Sequence, residues 1–419
     1  MQKLKTYLRD PYIVLVIVFL YMIVFAFIVD TPYEIFNGLI AIVMTYDILI
    51  TDYVAVGGVG ASLVNAALVC LVFMAFMFRL QRRPSGSLIM AFWLLAGFAF
   101  FGKNIVNVWP VIIGGYLYAK FKGESFDKYA VVTALATAMG PTVTQLAMLD
   151  NFPLIPRLAL AIGIGIFIGF ITPPISQNFM NIHQGLNLYN VGLTAGVLAI
   201  FVRIFVVEIG GGEVDPILIW CTENKLVLTI FMIILFSFLV FVGWLCGEDK
   251  KENLLGLLKR TGQAPSDYYS DYGEVAYINM GLLGLLCMAA MLLIGSDING
   301  PVMGSIYTVV GFGAFGKHLK NVWPLILGCM LAGGFWNIFS GYNPSSAIAV
   351  LLVSCLAPIA GRYGWKWGIV AGFIHFHIAA NVVFFSGGFN LYNNGLAGGF
   401  VMMFLLPIIR TWYERKGNA

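Results

Sequence analysis

Long apolar runs separated by short polar breaks dominate the chain, and their lengths fall into two classes. A transmembrane helix needs about 20 predominantly apolar residues. The pattern predicts spans near 11–29, 57–79, 129–148, 157–178 and 186–207, and again near 225–246, 276–294, 344–360, 365–384 and 388–409. Two further pairs of segments, 86–101 with 104–119 and 300–315 with 318–335, are too short to cross singly. A helix of about 15 residues is only ~22 Å long, so each pair is expected as a re-entrant hairpin with its tip near mid-membrane. Segments 33–50 and 251–262 are expected as surface-lying helices, the second amphipathic.

The same punctuation occurs twice. Phe101-Gly102-Lys103, Asn107-Val108-Trp109-Pro110 and Gly114 return as Phe315-Gly316-Lys317, Asn321-Val322-Trp323-Pro324 and Gly328. Downstream, Gly169-Phe170-Ile171, Asn178, Gly185 and Asn187-Leu188-Tyr189-Asn190 lead into Gly192-Leu193 and Gly196. They recur as Gly372-Phe373-Ile374, Asn381, Gly388, Asn390-Leu391-Tyr392-Asn393, Gly395-Leu396 and Gly399. Fainter echoes pair Asp52-Tyr53 with Asp271-Tyr272, and Gly38 with Gly256. An ordered set of matches of this kind marks a tandem duplication. It divides the chain into membrane repeats at 1–212 and 213–419, the second carrying a loop at 247–275.

Composition and charge fix the setting. Of 419 residues, 60% are hydrophobic and 11% charged, against roughly 25% charged in soluble proteins. That balance excludes a cytosolic enzyme, a nucleic-acid binder and a disordered chain. The net charge of +4 matters less than its distribution. With the N-terminus placed in the cytoplasm, 18 of the 24 basic residues fall on that side, as the positive-inside rule requires. Arg157, Arg203 and Lys225 fall outside, and Lys103, Lys317 and Lys320 sit at the hairpin tips. Five spans per half then make the halves inverted. The expected fold is an all-α polytopic membrane protein of two inverted repeats, about ten transmembrane helices plus two re-entrant hairpins. It is expected in the plasma (inner) membrane with both termini cytoplasmic, its first helix retained and not cleaved as a signal peptide. The six cysteines stand singly in apolar surroundings and imply neither disulfides nor a metal site.

Candidate chemistry gathers at the repeated strings. A charge at mid-membrane costs between ~2.5 and ~17 kcal/mol, so Lys103 and Lys317 invite a functional account. Three accounts compete: binding an anionic solute, neutralising a helix end or a buried acid (Asp52 and Asp271 being the repeated candidates), or snorkelling from a shallow hairpin. Gly102 and Gly316 supply tight turns, and Pro110 and Pro324 are expected to loosen the returning helices. Asn107 and Asn321 flank the tips. Asn187, Tyr189, Asn190, Asn390, Tyr392 and Asn393 place amides and phenols at the start of the last span of each half. They serve either as solute ligands or as caps locking that span to its neighbour. Gly192, Gly196, Gly395 and Gly399 fit close helix packing. His375 and His377 lie about 200° apart around one helix, so they form no joint metal site. They are the candidates for proton coupling, against a plain buried-histidine role. His183 and His318 have less context still. No catalytic residues, metal site or cofactor are expected.

The paired Phe-Gly-Lys…Asn-Val-Trp-Pro and Asn-Leu-Tyr-Asn-x-Gly-Leu signatures resemble a family of bacterial two-repeat membrane proteins catalogued as domain of unknown function 1576, over nearly the whole chain. The layout is also similar to that of urea transporters, with ten spans and inverted halves. Asn187-Leu188-Tyr189-Asn190 and Asn390-Leu391-Tyr392-Asn393 loosely echo their Gly-x-x-Tyr-Asn element, but their Leu-x-x-Pro-x-x-Thr-x-Pro-Phe signature is absent. The leading expectation is a permease moving a small polar solute, anionic in one version, by alternating access. The alternatives are a channel for a neutral solute such as urea, or a lipid-handling flippase or membrane enzyme. The partners implied are a small-molecule solute and membrane lipid, with no nucleic acid; a homo-oligomer through flat helix faces stays open.

Overall fold

The computed structural model of the chain describes residues 2–47, 49–80, 82–149, 152–210, 219–337 and 344–417. The boundary between the repeats at 212 and 213 lies outside the described residues. The first repeat forms α1 (Gln2–Leu8), α2 (Pro11–Val29), α3 (Pro32–Met44), α4 (Tyr53–Arg79), α5 (Gly86–Phe98), α6 (Trp109–Phe121), α7 (Ala130–Ala136), α8 (Gly140–Ala147), α9 (Leu154–His183) and α10 (Asn190–Gly210). The second forms α11 (Lys225–Cys246), α12 (Lys250–Leu257), α13 (Tyr268–Tyr272), α14 (Val275–Leu293), α15 (Gly300–Gly311), α16 (Leu319–Asn337), α17 (Pro344–Leu352), α18 (Ala357–Tyr363), α19 (Trp365–Ser386) and α20 (Asn393–Gly417).

Ten helical stretches among the described residues are long and apolar enough to cross a membrane, with α7–α8 and α17–α18 each counting as one. All ten fall where the apolar runs place them. This is a polytopic all-α membrane protein built as two repeats. Side chains such as Leu20, Val24, Phe27 and Ile28 on α2 are exposed on the bundle's outside, as a helix facing lipid requires.

Local chemistry sets the helix starts. Asp10 caps α2 by accepting from the Tyr12 N–H, with Pro11 in the first turn. Thr31 and Glu34 form a reciprocal capping box on α3, and Asp52, Ser85 and Asn299 cap α4, α5 and α15. Such caps satisfy N–H groups that have no partner within the helix. The expected surface helices come out shorter: α3 stops at Met44 and α12 at Leu257. Within α12 only Leu257 is buried while Leu255 is exposed, so its apolar face is narrower than the sequence pattern suggests.

One proline at the tips departs from expectation. Pro110 does not loosen a helix; it sits in the first turn of α6, where its missing N–H costs nothing. Its counterpart Pro324 lies inside α16. The helices leading to the two tips pack on each other. Equivalent helices α5 and α15 run antiparallel side by side, meeting at Gly97 and Gly304 and packing the Trp93 ring, tilted by 50°, against its own equivalent Tyr307 at 4.9 Å. The start of α15 therefore lies beside the end of α5, where Asp52 accepts from the Gly300 N–H while the Tyr53 N–H donates to the Phe100 carbonyl. Each tip lies level with the start of the opposite pair.

Packing cuts across the repeats. α2 packs on α4, α11 on α14, and α5 on α15, forming one bundle. α6 and α8 pack on α9, α16 and α18 on α19, and α10 on α20, forming a second. Gly192 and Gly395 make the α10–α20 crossing possible: a Cβ on Gly395 would lie 2.7 Å from the Gly192 Cα. Each repeat thus gives its first half to one bundle and its second half to the other, and the turn at Lys103 or Lys317 is the crossover.

Candidate functional site

Both crossover turns are built alike. Gly102 and Gly316 have φ of +93° and +118°, which favours glycine. The Lys103 N–H donates to the Phe98 carbonyl and the Lys317 N–H to that of Phe312. An asparagine from the neighbouring helix then holds each turn. The Asn65 amide donates to the carbonyls of Ala99 and Lys103, at 2.8 and 2.9 Å. Asn279 does the same to Gly313 and Lys317, at 2.8 and 2.7 Å. Asn107 and Asn321 brace the turns from the other side, donating to the Gly102 and Gly316 carbonyls. These two bind the turn's backbone and lie outside the cavity described below.

The spans α7–α8 and α17–α18 are each interrupted by a short 3-10 stretch ahead of Pro141 or Pro358. The break releases carbonyls, and the opposite repeat takes them up. The Leu188 N–H donates to Cys355 O at 2.8 Å, and the Leu391 N–H to Ala138 O at 3.1 Å. This docking carries the tyrosine of each Asn-Leu-Tyr-Asn string to the lysine of the other half. Lys317 Nζ donates to the Tyr189 hydroxyl at 2.6 Å and to Ser354 Oγ at 2.8 Å, and lies 4.3 Å and 4.7 Å from the ring centres of Tyr189 and Phe312. Lys103 Nζ is 3.5 Å from the Tyr392 hydroxyl and 5.3 Å from the Tyr392 and Phe98 rings. The equivalent of Ser354, Thr137, donates to Ala134 O.

Both lysines are 0% exposed, and among the described residues neither meets a carboxylate. The acids that sequence symmetry offered are engaged elsewhere. Asp52 accepts from the backbone N–H groups of Val54, Cys221 and Gly300. Asp271 pairs with Arg260 on the surface at 2.8 Å. Aromatic faces and hydroxyls surround the two ammonium groups in place of an acid.

Between the bundles lies a cavity of about 160 Å³. Symmetry-related pairs form its middle: Leu94 with Thr308, Phe98 with Phe312, Leu135 with Leu352, Tyr189 with Tyr392, and Val191 with Asn394. It extends to one side only, past Ser87, Val131 and Met180 toward Ala264. The equivalents Pro301, Ile348 and Val383 are not part of it.

Of the ten residues that the sequence marks for solute binding, Tyr189, Tyr392 and Asn190 line this cavity. Lys103 and Lys317 stand behind the tyrosines. Asn187 and Asn390 accept from the N–H groups of Tyr189 and Tyr392 and so fix the string's turn. Asn393 accepts from Ser386. Asn190 also has a structural partner, donating to Ser176 at 2.8 Å. His375 is buried against Cys355 and the Asn394 carbonyl, while His377 packs between Phe373 and Phe376. Sequence reading missed Asn394, which replaces the Val191 of the first string, and Asn65 with Asn279. The latter pair shares the 214-residue offset of the lysines, which is the signal that could have found it.

No curated protein and no solved structure matches the chain. The duplicated, bundle-crossing architecture is mirrored in a family match over two stretches, residues 31–207 and 248–411, one to each repeat. The chain belongs to the family described as protein of unknown function (DUF1576).

Proposed function

We propose that the chain is a permease of the plasma membrane, with both termini cytoplasmic, and that it moves a small organic anion by alternating access. In this reading the short paired helices are re-entrant. The observation that carries it is the shape of the inter-bundle cavity, whose centre is made of symmetry-related pairs and whose extension is one-sided. An inverted-repeat carrier visits two states that exchange the conformations of its halves. A cavity open toward one face alone corresponds to one of them. The extension runs toward Ala264 and the 247–275 loop, the side that the basic residues assign to the cytoplasm.

The wall chemistry argues for the anion. An ammonium donates and never accepts, so a tyrosine oxygen that accepts from Lys317 keeps its own proton free to donate. The lysine's charge strengthens that donor, and a negative acceptor gains most from it. Phe98, Phe312, Leu135 and Leu352 call for an apolar body beside the charge. A dry cavity of about 150 Å³ holds benzene, so a solute of that bulk suits this one.

Benzenesulfonate and its neutral counterpart benzenesulfonamide test the proposal. A ligand of the native state raises its stability by about 2.7 kcal/mol at a hundredfold excess over Kd. Saturable thermal stabilisation by the sulfonate, weakened in Tyr189→Phe, together with counterflow in proteoliposomes, is the expected result. Equal stabilisation by the sulfonamide removes the anion preference. Flux without saturation or trans-stimulation replaces the carrier with a channel.

A further inference from the structure

Asp47, in the loop between α3 and α4, is a carboxyl that the solute site does not use. It is 0% exposed, and every partner described for it is a neutral donor. The Tyr53 hydroxyl donates to Oδ1 at 2.8 Å. Oδ2 accepts from Thr144 Oγ1 at 3.0 Å, Asn107 Nδ2 at 3.2 Å and Asn104 Nδ2 at 3.4 Å. Those donors come from α4, α8 and the first crossover turn, so one carboxyl fastens three elements.

Among the described residues, the second repeat shows no carboxyl at the equivalent turn. Asn104 is replaced there by His318, whose Nε2 meets the backbone carbonyl of Arg260 at 2.8 Å. The Asn321 amide braces its own turn as Asn107 does, and the Tyr268 hydroxyl donates to the Gly316 carbonyl. A backbone oxygen would satisfy this position structurally, as it does in the second repeat. The first repeat instead holds an ionisable group at the corresponding turn.

We propose that Asp47 is a proton-binding site and the coupling group of the permease. Its coupling role rests on the permease reading; its titration does not. The geometry selects the atom. Among the described residues, Oδ2 meets three donors, whereas Oδ1 meets one hydroxyl, which can rotate. The proton binds Oδ1, and Tyr53 turns from donor to acceptor. No bond to carbon changes and no electrons are transferred. The contacts then run from Asp47 through Asn107 to Gly102 and Lys103, and on to Tyr392 at the cavity wall.

The charged and titratable groups nearby do not neutralise it. Asp52 turns to backbone N–H groups, and Lys103 of the same turn sends its ammonium to Tyr392. From α8 it meets Thr144. Burial pushes the Asp47 carboxyl up to about 8, partly offset by its hydrogen bonds from Tyr53, Thr144 and Asn107.

Infrared difference spectra of the full chain in liposomes, recorded against pH without solute, test the site. The expected result is a protonated-carboxyl C=O band that grows as pH falls through about 8, is missing in Asp47→Asn, and titrates at higher pH in Tyr53→Phe, which loses a donor to the ionised form. Identical wild-type and Asp47→Asn spectra overturn it. If Asp47→Asn does not fold, Tyr53→Phe and Thr144→Val decide: an unmoved or downward titration overturns it. For coupling, labelled benzenesulfonate is followed in proteoliposomes. Counterflow that persists in Asp47→Asn while accumulation driven by a pH gradient is lost supports the role. Wild-type counterflow indifferent to the gradient overturns coupling and leaves the permease standing. Absence of any counterflow strikes the permease reading and leaves the infrared titration to judge the proton site.

Discussion

The two lysines are equivalent in sequence but not in their surroundings, and that difference yields a quantitative prediction. Lys317 Nζ has two hydroxyl acceptors within 2.8 Å, whereas Lys103 Nζ has one hydroxyl at 3.5 Å. The latter lies outside the usual hydrogen-bond range of about 2.7–3.2 Å. A hydrogen bond to a charged group contributes about 1.5–3 kcal/mol. Tyr189→Phe keeps the ring, and with it the cation–π contact, but removes the acceptor. It should cost about 1.5–3 kcal/mol, while Tyr392→Phe should cost under about 1 kcal/mol. Unfolding of the full chain in mixed micelles, followed by tryptophan fluorescence, measures both. A double-mutant cycle with Lys317→Met isolates the pair: in that background the cost of Tyr189→Phe should nearly vanish. Equal losses in the two Phe variants, or an unchanged loss without the lysine, would refute the claim that Tyr189 holds an ammonium.

Three further predictions use the same unfolding measurement or a melting curve. Gly395→Ala forces a Cβ against the Gly192 backbone and should cost about 1–3 kcal/mol. Gly163→Ala, which enters open space, should leave stability unchanged or slightly raised; equal effects would contradict the crossing. Asn279→Ala leaves the carbonyls of Gly313 and Lys317 unpaired, at about 1–3 kcal/mol for each buried group, and a loss no larger than that of a surface asparagine would rule out the clamp. In the loop after α6, the Tyr129 hydroxyl donates to the Glu124 carboxylate and holds that carboxyl below its ordinary value. A depressed folded value stabilises above the unfolded value of about 4.3 and the gain is lost as pH falls through the folded one. The melting-temperature gap between wild type and Tyr129→Phe should therefore narrow on acidification, and a gap independent of pH would count against it.

Span positions were legible because each needs about 20 apolar residues, whatever it packs against. The crossover turns were legible because glycine, lysine and asparagine recur there at one offset. What the lysines meet was not. Lys317 and Tyr189 stand 128 residues apart, and Lys103 and Tyr392 stand 289 apart. Their meeting depends on a loop docking into a helix break that apolar pattern does not reveal. The apparent candidates Asp52 and Asp271 echo each other in sequence yet do unrelated work, one capping a helix and the other pairing on the surface. Asp47 escaped notice for the opposite reason: it belongs to no repeated string, and only burial distinguishes it.

For the proposed permease, the packing says which parts would move against which. A sequence divided into two repeats suggests that one repeat rocks against the other. The contacts argue otherwise, because α2 of the first repeat and α11 of the second lie in one bundle, while α9 of the first lies in the other. The crossed hydrogen bonds from Leu188 to Cys355 and from Leu391 to Ala138 also tie the repeats together within the second bundle. The cavity separates α5 and α15 from α7, α9 and α17, so the proposed permease would open and close at the seam between bundles. Hinges then fall at the turns carrying Lys103 and Lys317. Spin labels discriminate the two motions, at the outward-facing positions Leu20 on α2, Ile233 on α11 and Ile162 on α9. In a reconstituted sample without solute, the Leu20–Ile233 distance should be single and narrow even though it joins the two repeats. The Leu20–Ile162 distance, within one repeat, should be broad or double. The reverse pattern would mean that the repeats themselves are the rigid bodies, and the hinge at the lysine turns would have to be abandoned.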